Sequence, residues 1–313
     1  ENLKIGFDPK LFTKKTLNIF FKNRNIKLKP LKNNLIDKIW KRKIKRNKSM
    51  FFRLPNQSVG IDYKSKIKRI KFYLKKKGAD FHFITASENN AWLLNIRGRD
   101  SEYSPLPDSY ILIDKNKKVD FFCDLKKVTT SFKKKFKHVN FIELKLAGKT
   151  LSKIHKKKFI IDINSCSAYF ENIILKKNKV LKSQDPIYSL KAIKTKKEIK
   201  NIKLAHKLDG AALTKYLFWL KKNFINKKIT EISGSDKLYQ LRKKNKKFKF
   251  LSFPTISGTG PNGAIIHYNP NKKSDRRLKK GDVYLVDSGG QYKLGTTDVT
   301  RTVSLKNTNQ RVK

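Results

Sequence analysis

Residues 281–305 read Gly281-Asp-Val-Tyr-Leu-Val-Asp287-Ser-Gly-Gly-Gln-Tyr-Lys-Leu-Gly-Thr-Thr-Asp298-Val-Thr-Arg-Thr-Val-Ser-Leu305. Val283 to Val286 is a short apolar strand. Gly289, Gly290 and Gly295 mark a turn region, and Thr296 to Val303 is a second strand rich in β-branched residues. A loop centred near Tyr292 and Lys293 sets Asp287 opposite Asp298, Leu285 opposite Thr300 and Val283 opposite Thr302. Directly opposed side chains hold their Cβ atoms about 4.5–5.5 Å apart. Two ionised carboxylates at that distance repel, and one would normally keep a proton. A divalent cation between them removes the conflict and turns the pair into a site. Singly, each has a plainer reading: Asp before Ser-Gly-Gly is a common turn residue, and Asp among threonines can cap an edge strand. The metal reading rests on both standing in register.

At 313 residues the chain is long enough for two or three domains. Hydrophobic residues make up 38%, below the usual globular share, but apolar runs recur along the whole length. None approaches the ~18–20 residues of a membrane span. The first residue is Glu1, and no charged-then-apolar leader follows. The expectation is an incomplete piece of a cytoplasmic protein with no membrane partner. Cys123 and Cys166 are too few for a disulfide framework and lack zinc-site spacing, so they read as reduced, buried thiols.

The formal net charge of +52 would ordinarily point to nucleic acid or an anionic surface. Only twelve of the 76 basic residues are Arg, the better residue for bidentate phosphate and base contacts. Lys is spread over every segment beside abundant Asn and Ile, as in an AT-rich coding sequence whose lysines occupy solvated faces. With no aromatic-studded RNA motif or zinc finger, no specific nucleic-acid partner is expected.

Periodicity divides the chain into three expected domains, 1–55, 56–186 and 187–313. The first holds a strand-like start at Leu3-Lys-Ile-Gly6 and helical stretches at Thr13 to Lys22 and Leu35 to Trp40; the basic run Lys41 to Lys48 reads as a linker. In the second, Ile67, Ile70 and Leu74 recur at helical spacing before Gly78. Phe81 to Thr85, Tyr110 to Ile113, Val119 to Cys123 and Phe159 to Ile163 read as strands, with Ala168 to Leu175 helical, which describes a layered α/β domain. The third opens on a capping box, Thr195-x-x-Glu198. The helix behind it turns Ile199, Ile202, Ala205, Leu208, Ala212, Leu213, Tyr216, Leu217 and Leu220 to a core. A second helix is expected from about Ser235 to Arg242, then strands at Phe250 to Ile256 and Ala264 to Tyr268 ahead of the aspartate hairpin.

Gly258-Thr-Gly260-Pro-Asn-Gly263 matches a dinucleotide-binding pattern, but that pattern needs a helix opening at the glycines. Pro261 inside the motif and the strand-like run after it argue for a glycine-rich link near a site. His267 ends that run, where its imidazole could donate to a substrate carbonyl or hold a carboxylate. A buried His bonded to a backbone carbonyl is the plain alternative. His82, His138 and His155 have no evident carboxylate partner, and His206 has at best a local pair with Asp209 one helical turn on; all four read as structural or solvated.

These motifs resemble the Xaa-Pro aminopeptidase (aminopeptidase P) family of pita-bread metallopeptidases, in its three-domain, eukaryote-type branch. The resemblance is carried by Phe253-Pro-Thr-Ile-Ser-Gly-Thr-Gly-Pro-Asn-Gly-Ala-Ile-Ile-His267-Tyr, Gly281-Asp-Val-Tyr-Leu-Val-Asp287 and Gly295-Thr-Thr-Asp298-Val-Thr-Arg. It continues upstream through Ala205-His-Lys-Leu-Asp-Gly-Ala-Ala and Ala91-Trp-Leu-Leu-Asn-Ile-Arg-Gly98. It implies an α/β protein with an α+β catalytic part. Residues 1–55 would be the C-terminal remnant of a first creatinase-N-like domain, 56–186 an RNase-H-like second one, and 187–313 a truncated pita-bread domain. It implies that Asp287 ligates one metal, that Asp298 bridges two divalent ions, usually Mn²⁺, and that His267 contacts substrate or the tetrahedral intermediate. Implied partners are peptides with proline at the second position and a second copy in a homodimer. The family completes its site with a later His and two later Glu. None of these follows Val303 here, so the chain as given is expected to hold Mn²⁺ weakly and to lack peptidase activity.

Two other functions compete. One is a non-catalytic pita-bread module using its basic surface on RNA or ribosomes; the opposed carboxylates give such a module no benefit. The other is a related enzyme, a prolidase-type dipeptidase above all. The stretches Gly-Ala-Ile-Ile-His-Tyr and Thr-Thr-Asp-Val-Thr-Arg favour aminopeptidase P.

Overall fold

Strands that are apolar at every position must be covered on both faces, and the middle of the chain meets this demand. The computed structural model describes residues 3–22, 24–40 and 47–306. It divides the chain into two units, 1–54 with 61–101 and 105–193, and 55–60 with 102–104 and 194–313.

The first unit begins with β1 (Leu3–Phe7), α1 (Lys14–Phe21), β2 (Ile26–Pro30), α2 (Ile36–Ile39) and β3 (Phe52–Arg53). The parallel pair β1–β2 has its own two-stranded sheet. Residues 41–46 of the expected basic linker lie outside the described residues. The unit continues through α3 (Tyr63–Lys76), β4 (Phe81–Ile84), α4 (Ser87–Leu94), β5 (Ile96–Arg97), β6 (Ser109–Asp114), β7 (Val119–Cys123), α5 (Thr130–Lys134) and β8 (Val139–Glu143). It ends with α6 (Ala147–Ser152), β9 (Lys158–Asp162), α7 (Ala168–Leu175), β10 (Lys179–Ser183) and α8 (Pro186–Ala192).

Its main sheet has the order β10-β9-β4-β6-β7-β8. Strands β4, β6 and β7 are antiparallel neighbours, and β9 and β10 run parallel to β4, the RNase-H-like arrangement that the resemblance implies. Alternation along each strand feeds two cores. Ile84, Ile111, Ile113, Phe121 and Ile160 join the α3 residues Ile67, Ile70 and Leu74. Phe83, Leu112, Phe122, Phe159 and Ile161 meet Phe170 and Ile174 of α7 on the other face. The hairpin between β6 and β7 closes as its sequence requires: Asp114 Oδ1 accepts from the N–H of Asn116 and Lys117 at 2.8 and 3.1 Å. Both cysteines are free and buried, and burial pushes their thiols well up.

The second unit is built from α9 (Lys196–Asn223), α10 (Glu231–Lys243), β11 (Phe248–Leu251), β12 (Ile256–Thr259), β13 (Val283–Ser288), β14 (Gly290–Tyr292) and β15 (Val299–Ser304). The capping box forms at α9, with Thr195 and Glu198 bonded reciprocally, an arrangement worth about 0.5–2 kcal/mol. Ala205, Ala212, Leu213, Tyr216 and Leu220 are buried as expected, but Ile199 is 44% exposed. Helix α10 starts four residues earlier than the periodicity suggests. Thr230 caps it through Ser233, and Gly234 sits where a Cβ would meet the Tyr216 hydroxyl at 2.8 Å. The glycine lets α9 and α10 close on each other.

Two expected strands are corrected. Phe250 to Ile256 is not continuous: β11 pairs with β14, β12 pairs with β13, and Ser252 to Thr255 links them. Ala264 to Tyr268 is not a strand; a 3₁₀ turn spans Gly260–Ala264 and a further turn follows. Ile265 and Ile266 are 53% and 85% exposed, so this apolar pair found no core to enter. No helix among the described residues is long and apolar enough to cross a membrane.

His82 corrects another expectation. It is fully buried in β4, and its Nε2 lies 3.7 Å from Asp185 Oδ1, so it does face a carboxylate. Burial, the larger influence, holds the imidazole below its ordinary value of 6.5, while Asp185 opposes. A histidine kept neutral in the fold and free to charge when unfolded favours folding fully above pH ~6.5 and loses that favour as pH falls. Urea midpoints measured from pH 7.5 down to 5.5 should therefore decline, and the decline should flatten in His82→Asn.

Candidate metal centre

Strand β13 is the middle strand of an antiparallel sheet ordered β12-β13-β15. Tyr284, Val286 and Ser288 are buried on the helix side, where Tyr284 and Val286 join Leu213, Tyr216, Leu220 and Leu238 in the core. The two-residue period of the strand then commits Val283, Leu285 and Asp287 to the opposite face. The apolar positions thus decide which way Asp287 points.

The hairpin forms, but its register differs from the expected one by two residues. Asp287 faces Thr300, Leu285 faces Thr302 and Val283 faces Ser304. The turn sits one residue later, closed by the Tyr292 N–H on Gly295 O at 2.9 Å. Ser288 faces Val299 and Gln291 bridges Thr296, so Asp298 comes across from Gly289 and stands diagonal to Asp287. A shift of two preserves the face. The two aspartates therefore occupy diagonal positions, whose Cα atoms stand about 7–8 Å apart, rather than directly opposed ones. That spacing leaves room between them for ions.

Gly289 makes this approach possible. A Cβ there would lie 2.0 Å from Thr297 O and 2.3 Å from Ser252 Oγ. No side chain fits while Gly290 accepts from the Thr297 N–H at 2.9 Å and Ser252 Oγ donates to Thr297 O at 2.9 Å.

Asp287 Oδ1 is buried and has no hydrogen-bond partner. Such an oxygen is costly to leave bare, and a hard cation satisfies it. Asp298 is exposed, one residue ahead of β15. The donor set, carboxylate oxygens on one sheet face, fits a hard divalent ion. Among the described residues no group of three or more His, Cys, Asp and Glu gathers as a metal centre. His267 does not end a strand; it lies exposed in the turn after the 3₁₀ segment with φ of 55°. A side chain there is strained and persists only where the surrounding structure holds the backbone.

The same hairpin is pinned from the helix side. Arg242 of α10 is fully buried and forks onto Asp209 of α9, with Nε to Oδ1 at 2.7 Å and Nη2 to Oδ2 at 2.9 Å. Nη2 also donates to Ser288 Oγ at 3.0 Å, and the Tyr292 hydroxyl donates to Asp209 Oδ1 at 2.7 Å. Burial and the Asp209 carboxylate push the Tyr292 phenol well up. Asp209 is thus no partner of His206, whose Nδ1 instead lies 3.0 Å from Ile202 O. The sequence reading missed this network, although a lone Arg beside Lys243 and Lys244 in a lysine-rich chain signals a need for a bidentate fork.

Residues 42–198 match the creatinase/prolidase N-terminal domain, and residues 200–313 match metallopeptidase family M24. The chain therefore belongs to the creatinase/prolidase class of pita-bread metallopeptidases, with an M24 unit following its N-terminal domain. It is 35% identical over 312 residues to the Xaa-Pro aminopeptidase ApepP of Drosophila melanogaster, covering 96% of this chain and 50% of that protein. It is 38% identical over 285 residues to a probable Xaa-Pro aminopeptidase P of Laccaria bicolor, covering 88% and 44%. The X-prolyl aminopeptidase of Caenorhabditis elegans, described as a cytosolic enzyme with a di-nuclear active site, superposes with a TM-score of 0.92 at 29% identity, over 99% of this chain and 53% of that one. The chain spans about half the length of the relatives it matches. The Xaa-Pro dipeptidase of Bacillus anthracis, at TM-score 0.62 and 21% identity, shares the fold.

Removing one partner of a buried ion pair strands the other, at a cost of about 3–5 kcal/mol. Asp209→Ala should lower unfolding free energy by that amount in urea titrations, and Arg242→Lys should also destabilise, because an ammonium cannot reproduce the fork. The double variant Asp209→Leu/Arg242→Met should recover much of the loss.

Proposed function

We propose that the whole protein is a metal-dependent aminopeptidase that hydrolyses the bond between an N-terminal residue and a following proline. The observation that carries this reading is the placement of Asp287 and Asp298 on one face of a pinned hairpin, with Asp287 Oδ1 buried and unbonded. Identity to Xaa-Pro aminopeptidases over nearly the whole chain supports the substrate class.

Asp287 would hold one divalent ion and Asp298 would lie between two, Mn²⁺ being the ion that suits hard oxygen ligands and a hydrolytic site. Such a pair supplies Lewis acidity and a nucleophile at neutral pH. The residues of this chain have separate tasks. Asp287 and Asp298 present negative charge to the ions, the Gly289 contact fixes their spacing, and His267 would donate a hydrogen bond to the substrate. The cytosolic, di-nuclear relative in Caenorhabditis elegans supports two ions and a cytoplasmic location. A homodimer completes the proposal.

Two aspartates offer at most four oxygens, whereas each hard ion wants about six ligands. Isothermal titration of the 313-residue chain should accordingly give weak Mn²⁺ binding that Asp287→Asn and Asp298→Asn each abolish, with thermal stability nearly unchanged. Cleavage of an Arg-Pro-Pro peptide should be absent from this chain alone and present in the protein at the length of its relatives, where either substitution removes it. Activity that survives Asp287→Asn there, or tight Mn²⁺ binding indifferent to both aspartates, contradicts the assignment.

A further inference from the structure

Glu231 is a fully buried carboxylate at the first position of α10, and its hydrogen bonds all come from outside that helix. Its Oε1 accepts from the Thr259 N–H at 2.8 Å. Its Oε2 accepts from the Tyr268 hydroxyl at 2.8 Å and from the Arg276 N–H at 3.1 Å. Asn262 Nδ2 lies 3.1 Å from both oxygens. Four donors therefore converge on one side chain, and they come from the start, the middle and the end of the segment 259–276. Main-chain groups close the same seam: Glu231 N–H donates to Arg276 O at 3.0 Å, and Ser257 Oγ donates to Glu231 O at 2.7 Å. The neighbouring Ile232 N–H donates to Asp275 Oδ1 at 3.0 Å.

This segment is the one that carries His267, at φ 55° and exposed between Ile266 and Tyr268. An exposed side chain in a left-handed backbone has no packing of its own to keep it there. Its fixed points are Asn262 and Tyr268, which also bond each other, Nδ2 to the hydroxyl at 2.8 Å. Both end on Glu231. We propose that Glu231 is the positioning residue for His267: its carboxylate draws residues 259, 262, 268 and 276 to one point and so presents the imidazole in a single orientation. The role of His267 toward substrate rests on the function proposed above; the clamp itself rests on these bonds.

A carboxylate is required because every partner is a donor. Glu231→Gln keeps the volume but offers one oxygen and one N–H₂ group, so one side of the loop meets a donor where it needs an acceptor. Tyr268→Phe removes the hydroxyl next to His267, with its contacts to Glu231, Asn262 and Ser274, and keeps the ring in place, which covers the case in which a position 231 variant fails to fold. In the 313-residue chain, amide exchange within 259–276 should speed up by about tenfold in Glu231→Gln and by less in Tyr268→Phe. Exchange in the 283–304 hairpin and in α9 should stay within about twofold of the unsubstituted chain. The His267 Cε1–Hε1 resonance should move toward the position of an unfolded peptide in both variants. At the relatives' length, where the function proposed above expects activity, Glu231→Gln should lower kcat by about tenfold with little change in KM, and should add nothing to His267→Ala.

Unchanged exchange in 259–276, loosening spread equally over 283–304, or additive losses with His267→Ala would each overturn the clamp. Full activity in His267→Ala alone would instead overturn the reading of His267 on which its catalytic meaning depends.

Discussion

The fork of Arg242 on Asp209 is the contact on which the geometry of the second unit turns. It joins α9 to α10, and through Ser288 and Tyr292 it reaches both sides of Gly289. A planar guanidinium with fixed donor directions tolerates little sliding, so the strand segment on either side of the glycine is held in register against the helices. Burial of Tyr284 and Val286 sets which face Asp287 occupies; the ion pair sets how far along the strand it sits. Neither could do both. The network is strongly tied because each member has lost its water: an unpaired charge in that position would be far more costly than an unpaired group at the surface.

Acidic residues are scarce in this chain, 24 against 76 basic ones, and many of those described have an evident task. Asp62 and Asp185 cap helices, Glu198 completes a capping box, Asp209 holds Arg242 and Glu231 holds a loop. Against that background the bare Oδ1 of Asp287 stands out. The large positive charge tells less. Lysines lie on solvent-facing positions throughout, as in α3, where Lys64, Lys68, Lys71, Lys75 and Lys76 surround an apolar stripe. Lys66 departs from this, buried with its Nζ on Trp92 O and Asn95 Oδ1 at 2.7 Å each, and Lys127 is buried too.

Much of this was legible in the residues. Strands buried on both faces announced the first unit, because runs such as Phe159 to Ile161 admit no polar side. Thr195 and Glu198 announced α9 by their chemistry. The shared face of Asp287 and Asp298 was legible because parity survives an error of two. What failed depended on distant partners. The register slipped because Tyr292 is claimed by Asp209, 83 positions away, which moves the turn. The run Ala264 to Tyr268 looked like a strand because its apolar residues alternate with nothing; it folds into turns because Tyr268 is held by Glu231, 37 positions away. Helix α10 begins four residues before the expected start, where Thr230 caps it and Gly234 leaves room for the Tyr216 hydroxyl of α9.

The left-handed backbone at His267 sets the demands of folding against those of chemistry. Glycine would adopt φ of 55° without strain, and an exposed imidazole contributes little packing in return. Variants chosen only for resistance to heat would therefore tend to lose the histidine, and a laboratory lineage evolved for ruggedness would drift toward a sturdier but chemically silent protein. Retaining the imidazole at this position runs against thermal selection, and whatever keeps it there must act through something other than stability.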